Sequence, residues 1–214
     1  MDHDAPADMS TAHRPVLLAA AIALAVAGLA IFARPPEPAH DRRSDAELAP
    51  LEHVPAYSPE ALEALLEADQ AARRQEHVDW DRLRVEDAER RQIVGAWLDA
   101  GAIKDGRGLW SAAMIFQHGR QVAHYARARE LALAAVEEGY ADARWLKAAA
   151  EDRWLLAQGK RQRYGTQFQE VGGEWILAPV DAGVSDAERA TWGVPPLAES
   201  RQRAHDMNEP EGDQ

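Results

Sequence analysis

Apolar positions follow three different patterns along the chain. From Val16 to Ala33 they form the unbroken run VLLAAAIALAVAGLAIFA, which carries no charge. Eighteen residues of helix rise about 27 Å, close to the hydrocarbon thickness of a bilayer. This pattern predicts a transmembrane helix or signal anchor over 16–33, behind a polar segment, 1–15. The alternative is a signal peptide cleaved after Gly28-Leu29-Ala30, with export of the remainder.

The second pattern is helical. Ser58-Pro59-Glu60 reads as a helix start: a serine cap, proline in the first turn, then an acid. Leu62, Leu65, Leu66 and Asp69 follow at helical spacing, and Val78 to Trp97 continues in steps of three and four. Gly101 to Gly108 predicts a loop. Helices are then expected over Trp110 to His118, Val122 to Glu138 and Ala141 to Gln158, separated by glycines. Short breaks of this kind suit an antiparallel helical array.

The third pattern begins after Gly159. Two short runs flank Gly172-Gly173 and predict a β-hairpin at about 167–177. Ser185-Asp186-Ala187-Glu188 and Pro195-Pro196 open two further short helices. The fold expectation is therefore mainly α: an antiparallel helical array with one small β-hairpin, preceded by an N-terminal transmembrane helix. A proline-rich tether over 34–58 would join the span to a helical domain over 59–205. An acidic, disordered tail would follow over 206–214.

Composition narrows the chemistry. Alanine supplies 44 of the 214 residues, which favours helices that pack closely around a modest core, with seven tryptophans to anchor it. The net charge of −12 makes nucleic acid an unsuitable partner. With no cysteine, thiolate metal sites and cysteine catalysis are excluded. No HExxH or clustered histidines point to a metal, and no glycine-rich phosphate loop points to a nucleotide, so no cofactor is expected.

Three groups of polar residues could carry chemistry. Trp145, Ala149, Asp152 and Leu156 share a helix face, so the Asp152 carboxylate points inward and needs a partner. Either it forms a structural ion pair, with Arg153 the neighbouring cation, or it belongs to a pocket. His118 ends the turn Trp110, Met114, His118 and could be a general base or acid, or a histidine bonded to a carbonyl at the core edge. Gln162, Tyr164, Thr166 and Gln167 gather amides, a phenol and a hydroxyl around Gly165. They could read a polar ligand or satisfy one another at a corner between helix and hairpin.

The order of these residues resembles the DUF6624-like family of uncharacterised bacterial proteins. Over Trp110 to Leu197 it runs Gln117-His118, Asp152-Arg153, Gly159, Gln162, then Tyr164-Gly165-Thr166-Gln167-Phe168. Pro179, Asp181, Arg189 and the stretch Gly193 to Leu197 complete it. Arg120-Gln121 stands where such proteins often carry an aspartate. The resemblance implies one polar pocket, with His118 and Asp152 catalytic and Arg153, Gln162, Tyr164, Thr166 and Gln167 binding a small polar or anionic ligand. Combined with the apolar run, this gives a membrane-tethered, metal-independent enzyme of the hydrolase or transferase class. It would be single-pass, partnered by the lipid bilayer through 16–33, with an extracytoplasmic domain. The alternatives are a non-catalytic ligand-binding or sensing domain at the bacterial envelope and a structural or interaction domain.

Overall fold

The computed structural model describes residues 51–209. The first helix, α1 (Pro59–Arg73), starts where Ser58 accepts a hydrogen bond from the Ala61 N–H, 3.1 Å away. The second, α2 (Trp80–Asp99), is capped by Asp79, which accepts from the Arg82 N–H. Next comes α3 (Gly106–Phe116), then α4 (Val122–Glu137) and α5 (Ala143–Leu156). A hairpin of β1 (Phe168–Val171) and β2 (Glu174–Leu177) follows, and the short helices α6 (Asp186–Thr191) and α7 (Leu197–Asp206) close the series.

The mainly helical architecture with one small hairpin stands as expected; the expected transmembrane helix is not borne out among the described residues. Among the described residues no helix is long and apolar enough to cross a membrane. The longest, α2, carries Asp81, Arg82, Arg84, Glu86, Asp87, Glu89, Arg90 and Arg91, a charge density that hydrocarbon would not accept. The run 16–33 lies outside the described residues, as do 34–50 of the expected tether and 210–214 of the expected tail. The signal anchor, the lipid-bilayer partner, the single-pass envelope location and export after cleavage therefore have no support in the fold.

A smaller correction concerns α3. Its first turn lies inside the glycine-rich stretch expected to be a loop, because Asp105 caps it by accepting from the Gly108 N–H at 2.9 Å. Gly106 also belongs there for reasons of space: a Cβ would sit 2.7 Å from the Cβ of Tyr140. Almost every side chain of α3 after Trp110 is buried, and the helix packs against α1, α2, α4 and α5. Ala148, Ala149 and Ala150 are buried on α5, so small side chains let these helices approach closely.

The hairpin pairs Phe168 with Leu177 and Val171 with Glu174. Gly172 and Gly173 both take positive φ, 64° and 89°, the geometry of a tight two-residue turn. A lone two-stranded ribbon is marginal, and this one is clamped from outside. Asn208 accepts from the Trp175 N–H and donates to the Trp175 carbonyl, while α7 packs on β2. Tyr164, Ala148, Val184 and Val194 form a core between α5 and the C-terminal elements, with Trp145 and Trp192 against it.

Candidate functional site

Two polar networks take up the residues singled out in the sequence except Arg153, and the inward face of α5 builds the first. Asp152 is 0% exposed and accepts four hydrogen bonds. The N–H groups of Arg163 and Tyr164 donate to Oδ1 at 2.7 and 2.9 Å. The N–H and hydroxyl of Thr166 donate to Oδ2 at 3.0 and 2.8 Å. Burial pushes the carboxyl above the usual carboxylate range, against these bonds, which favour its ionised form. Asp152 was expected either to pair with a cation such as Arg153 or to belong to a pocket; its partners are the backbone of the 163–166 loop and the Thr166 hydroxyl.

Gln162 and Gln167 complete that network. The Gln162 amide donates to the carbonyls of Gln167 and Ala178, at 2.9 and 2.8 Å, and accepts from the Gln167 N–H. The Gln167 amide donates to Thr166 Oγ1, whose own proton goes to Asp152. Tyr164 is a core residue: its phenol accepts from Lys147 Nζ at 3.3 Å, and its carbonyl accepts from Arg189 Nε at 3.0 Å. Lys147 is also paired with Glu151 and sits 4.2 Å from the Trp192 ring centroid. The polar groups of Gln162, Tyr164, Thr166 and Gln167 are thus committed within the fold, most of them to one another and to Asp152. Gly165 makes the corner possible with φ of 82°.

The second network holds His118, which shares no hydrogen bond with Asp152. Its Nδ1 lies 3.0 Å from Asp69 Oδ1 and 2.9 Å from Oδ2, a partner 49 residues earlier in the chain. Asp69 is 1% exposed and also accepts from Arg73 Nη1 at 2.7 Å and from the Gln70 amide at 2.8 Å. Arg73 bridges α1 to α2 by donating through Nη2 to Asp87, at 2.5 Å. Asp87 then accepts from Arg90. For Asp69, burial opposes ionisation, but the charge of a protonated His118 ring, the donated hydrogen bonds and the Arg73 guanidinium outweigh it and hold the carboxyl below its usual range. For Asp87 burial prevails and the carboxyl is raised.

Ionised Asp69 can only accept, so Nδ1 carries the proton; in the neutral ring Nε2 then presents its lone pair. Burial lowers the His118 pKa below the ordinary imidazole value; the Asp69 charge opposes that shift and the Arg73 charge adds to it. Among the described residues Nε2 has no hydrogen-bond partner. The histidine side chain retains 9% of its surface exposed.

Arg153 turns away from Asp152, one residue round the helix. Its Nε is sealed from solvent with no partner among the described residues, and burial lowers its pKa. The field of Arg73 reaches both Arg153 and His118, and Arg153 also senses Tyr125. Gln117, fully buried beside His118, donates to Met114 Sδ at 3.2 Å and leaves Oε1 without a partner among the described residues. Among the described residues no group of three His, Cys, Asp or Glu side chains is arranged to hold a metal ion.

The sequence reading missed Asp69 and Arg73 as site residues. The signal was there: Asp69 occupies an inward position after Leu62 and Leu66, and Arg73 follows it by one turn. In comparisons with known proteins, no family model, no curated protein and no solved structure matches this chain.

Proposed function

We propose that the domain carries an acid–base site in which His118, oriented by Asp69, exchanges a proton with a small anionic ligand. The observation that supports this reading is the polarity of the ring. Its Nδ1–H is committed to a buried carboxylate, and Nε2 is left as a base without a partner among the described residues. A lowered pKa keeps that base unprotonated at neutral pH. Arg153 supplies the cation toward an anion, because its guanidinium has no carboxylate partner among the described residues. Asp152 positions the corner loop and takes no part in proton exchange. On the order of its motifs we also place the chain with the DUF6624-like proteins.

Side-chain NMR of the full-length protein tests the proposal, with inorganic phosphate as the anion probe. At pH 7 the His118 ring should carry its proton on Nδ1. Phosphate should shift its Nε2 resonance saturably, and R153Q should weaken that response by about tenfold, the equivalent of one charged hydrogen bond. A ring protonated on Nε2, or one that phosphate leaves unmoved, refutes the site.

A further inference from the structure

A cleft of about 280 Å³ lies between the first turns of α1 and α3 and shares no lining residue with the His118 network. Its polar lining is Tyr57, Glu60, Glu63, Asp105, Arg107 and Ser111. Arg107 is already occupied. It holds both oxygens of Glu63 at 2.8 and 2.9 Å, donates to the Tyr140 hydroxyl, and lies 4.8 Å from the Trp110 ring centroid. The Arg107–Glu63 pair cancels, which leaves the charges of Glu60 and Asp105. Each stands at a helix N-terminus, and each terminus offsets about half a unit charge. The cleft is therefore left with about one net negative charge.

Ser111 makes this more than an acidic rim. It is 1% exposed and lines the cleft, yet its hydroxyl has no hydrogen bond to any described residue. A mid-helix serine normally bonds back to its own helix. This one is left open to whatever fills the cleft. The phenol of Tyr57 feels the same field: burial raises its pKa first, and the charges of Asp105 and Glu60 raise it further. Leu62 and Pro59 supply an apolar patch beside these groups.

We propose that this cleft binds a small primary ammonium compound. The cation answers the residual negative charge, its N–H groups donate to Ser111 Oγ and to the carboxylates of Glu60 and Asp105, and its carbon body rests on Tyr57 and Leu62. An ammonium group has three donors and no acceptor, which suits the carboxylates of Glu60 and Asp105 and the oxygen lone pairs of Ser111 and Tyr57. A divalent metal is a poorer occupant, because no three carboxylates here stand close enough to ligate one.

The test is a titration of the labelled full-length protein at low ionic strength with four probes. They are n-butylammonium, tetramethylammonium, 1-butanol and butyrate. Butylammonium should shift the Gly108 and Ser111 amides saturably and bind at least about tenfold more tightly than the others, the ratio expected for one charge-assisted hydrogen bond. S111A should weaken it several-fold without lowering the melting temperature, since the lost hydroxyl has no partner among the described residues. E60Q, at an exposed position, gives an independent reading and should also weaken binding. Equal binding of tetramethylammonium removes the N–H contacts and overturns the proposal. So does equal or tighter binding of butanol or butyrate, an absence of saturable shifts with butylammonium, or unchanged affinity in both variants.

Discussion

Replacing Asp152 by asparagine separates a structural carboxylate from a functional one, and the geometry sets the size of the effect. In D152N the remaining side-chain oxygen can still accept from the N–H groups of Arg163 and Tyr164, now as neutral bonds rather than charge-assisted ones. The new amide nitrogen faces the Thr166 N–H and hydroxyl, which are donors to Asp152 in the native protein. The hydroxyl can turn and accept, but the N–H cannot. One buried donor left unsatisfied costs about 1–3 kcal/mol, and the weakening of the two retained bonds adds about 1 kcal/mol. Removing a charge that burial disfavours returns part of this. We expect a net loss of about 2–3 kcal/mol for D152N, and more for D152A, which leaves three N–H groups without an acceptor. Urea unfolding followed by far-ultraviolet circular dichroism measures it, with an unchanged slope as the sign that only stability has moved. A loss below about 0.5 kcal/mol in D152N would show that these bonds do not hold the corner, and the reasoning fails.

Two further outcomes follow from the same structure. His118 has a folded pKa below the ordinary 6.5, so the unfolded chain binds its proton first as the pH falls. The stability owed to this group is complete above about pH 6.5 and is lost as pH falls through the folded value; H118Q should flatten that part of a stability–pH curve, and an unaltered slope excludes the buried neutral ring. At Gly165, an alanine would take φ of 82° and bring its Cβ to 3.1 Å from Leu197 Cδ1, so G165A should cost about 1–2 kcal/mol in thermal unfolding, and a neutral result would mean that the corner relaxes freely.

Local chemistry made much of the fold readable. Ser58 and Pro59 start α1 as their side chains dictate, and Gly172-Gly173 turn the hairpin where a positive φ is needed twice. The start of α3 was obscured by its glycines, which look like a loop until the cap by Asp105 and the contact with Tyr140 are known. The site was harder. Periodicity pointed Asp152 inward but could not name its partners, because backbone N–H groups leave no mark in a sequence. Asp69 and His118 meet only through the packing of α1 on α3, across a separation that no spacing rule spans.

Asp152 and Arg153 stand next to each other on α5, which puts about 100° between their side chains. One fastens the loop that leads to the hairpin; the other carries an Nε with no partner among the described residues into the region where the Arg73 field acts. The helix therefore rigidly joins a satisfied network to an unsatisfied one. A fully paired corner has no capacity left for a ligand, and that makes it suited to hold its neighbour in place. His118 has the reverse arrangement, with one ring nitrogen spent on orientation and the other without a hydrogen-bond partner among the described residues. Loss of the corner should thus reach the His118 site through Arg153 and not through any direct contact. R153Q made in the otherwise native chain distinguishes the two routes: it removes the cation and leaves all four bonds to Asp152 in place. Phosphate sensitivity of His118 should fall in R153Q with the Asp152 bonds intact. A matching fall confined to D152N would assign anion binding to the corner and refute the division of roles.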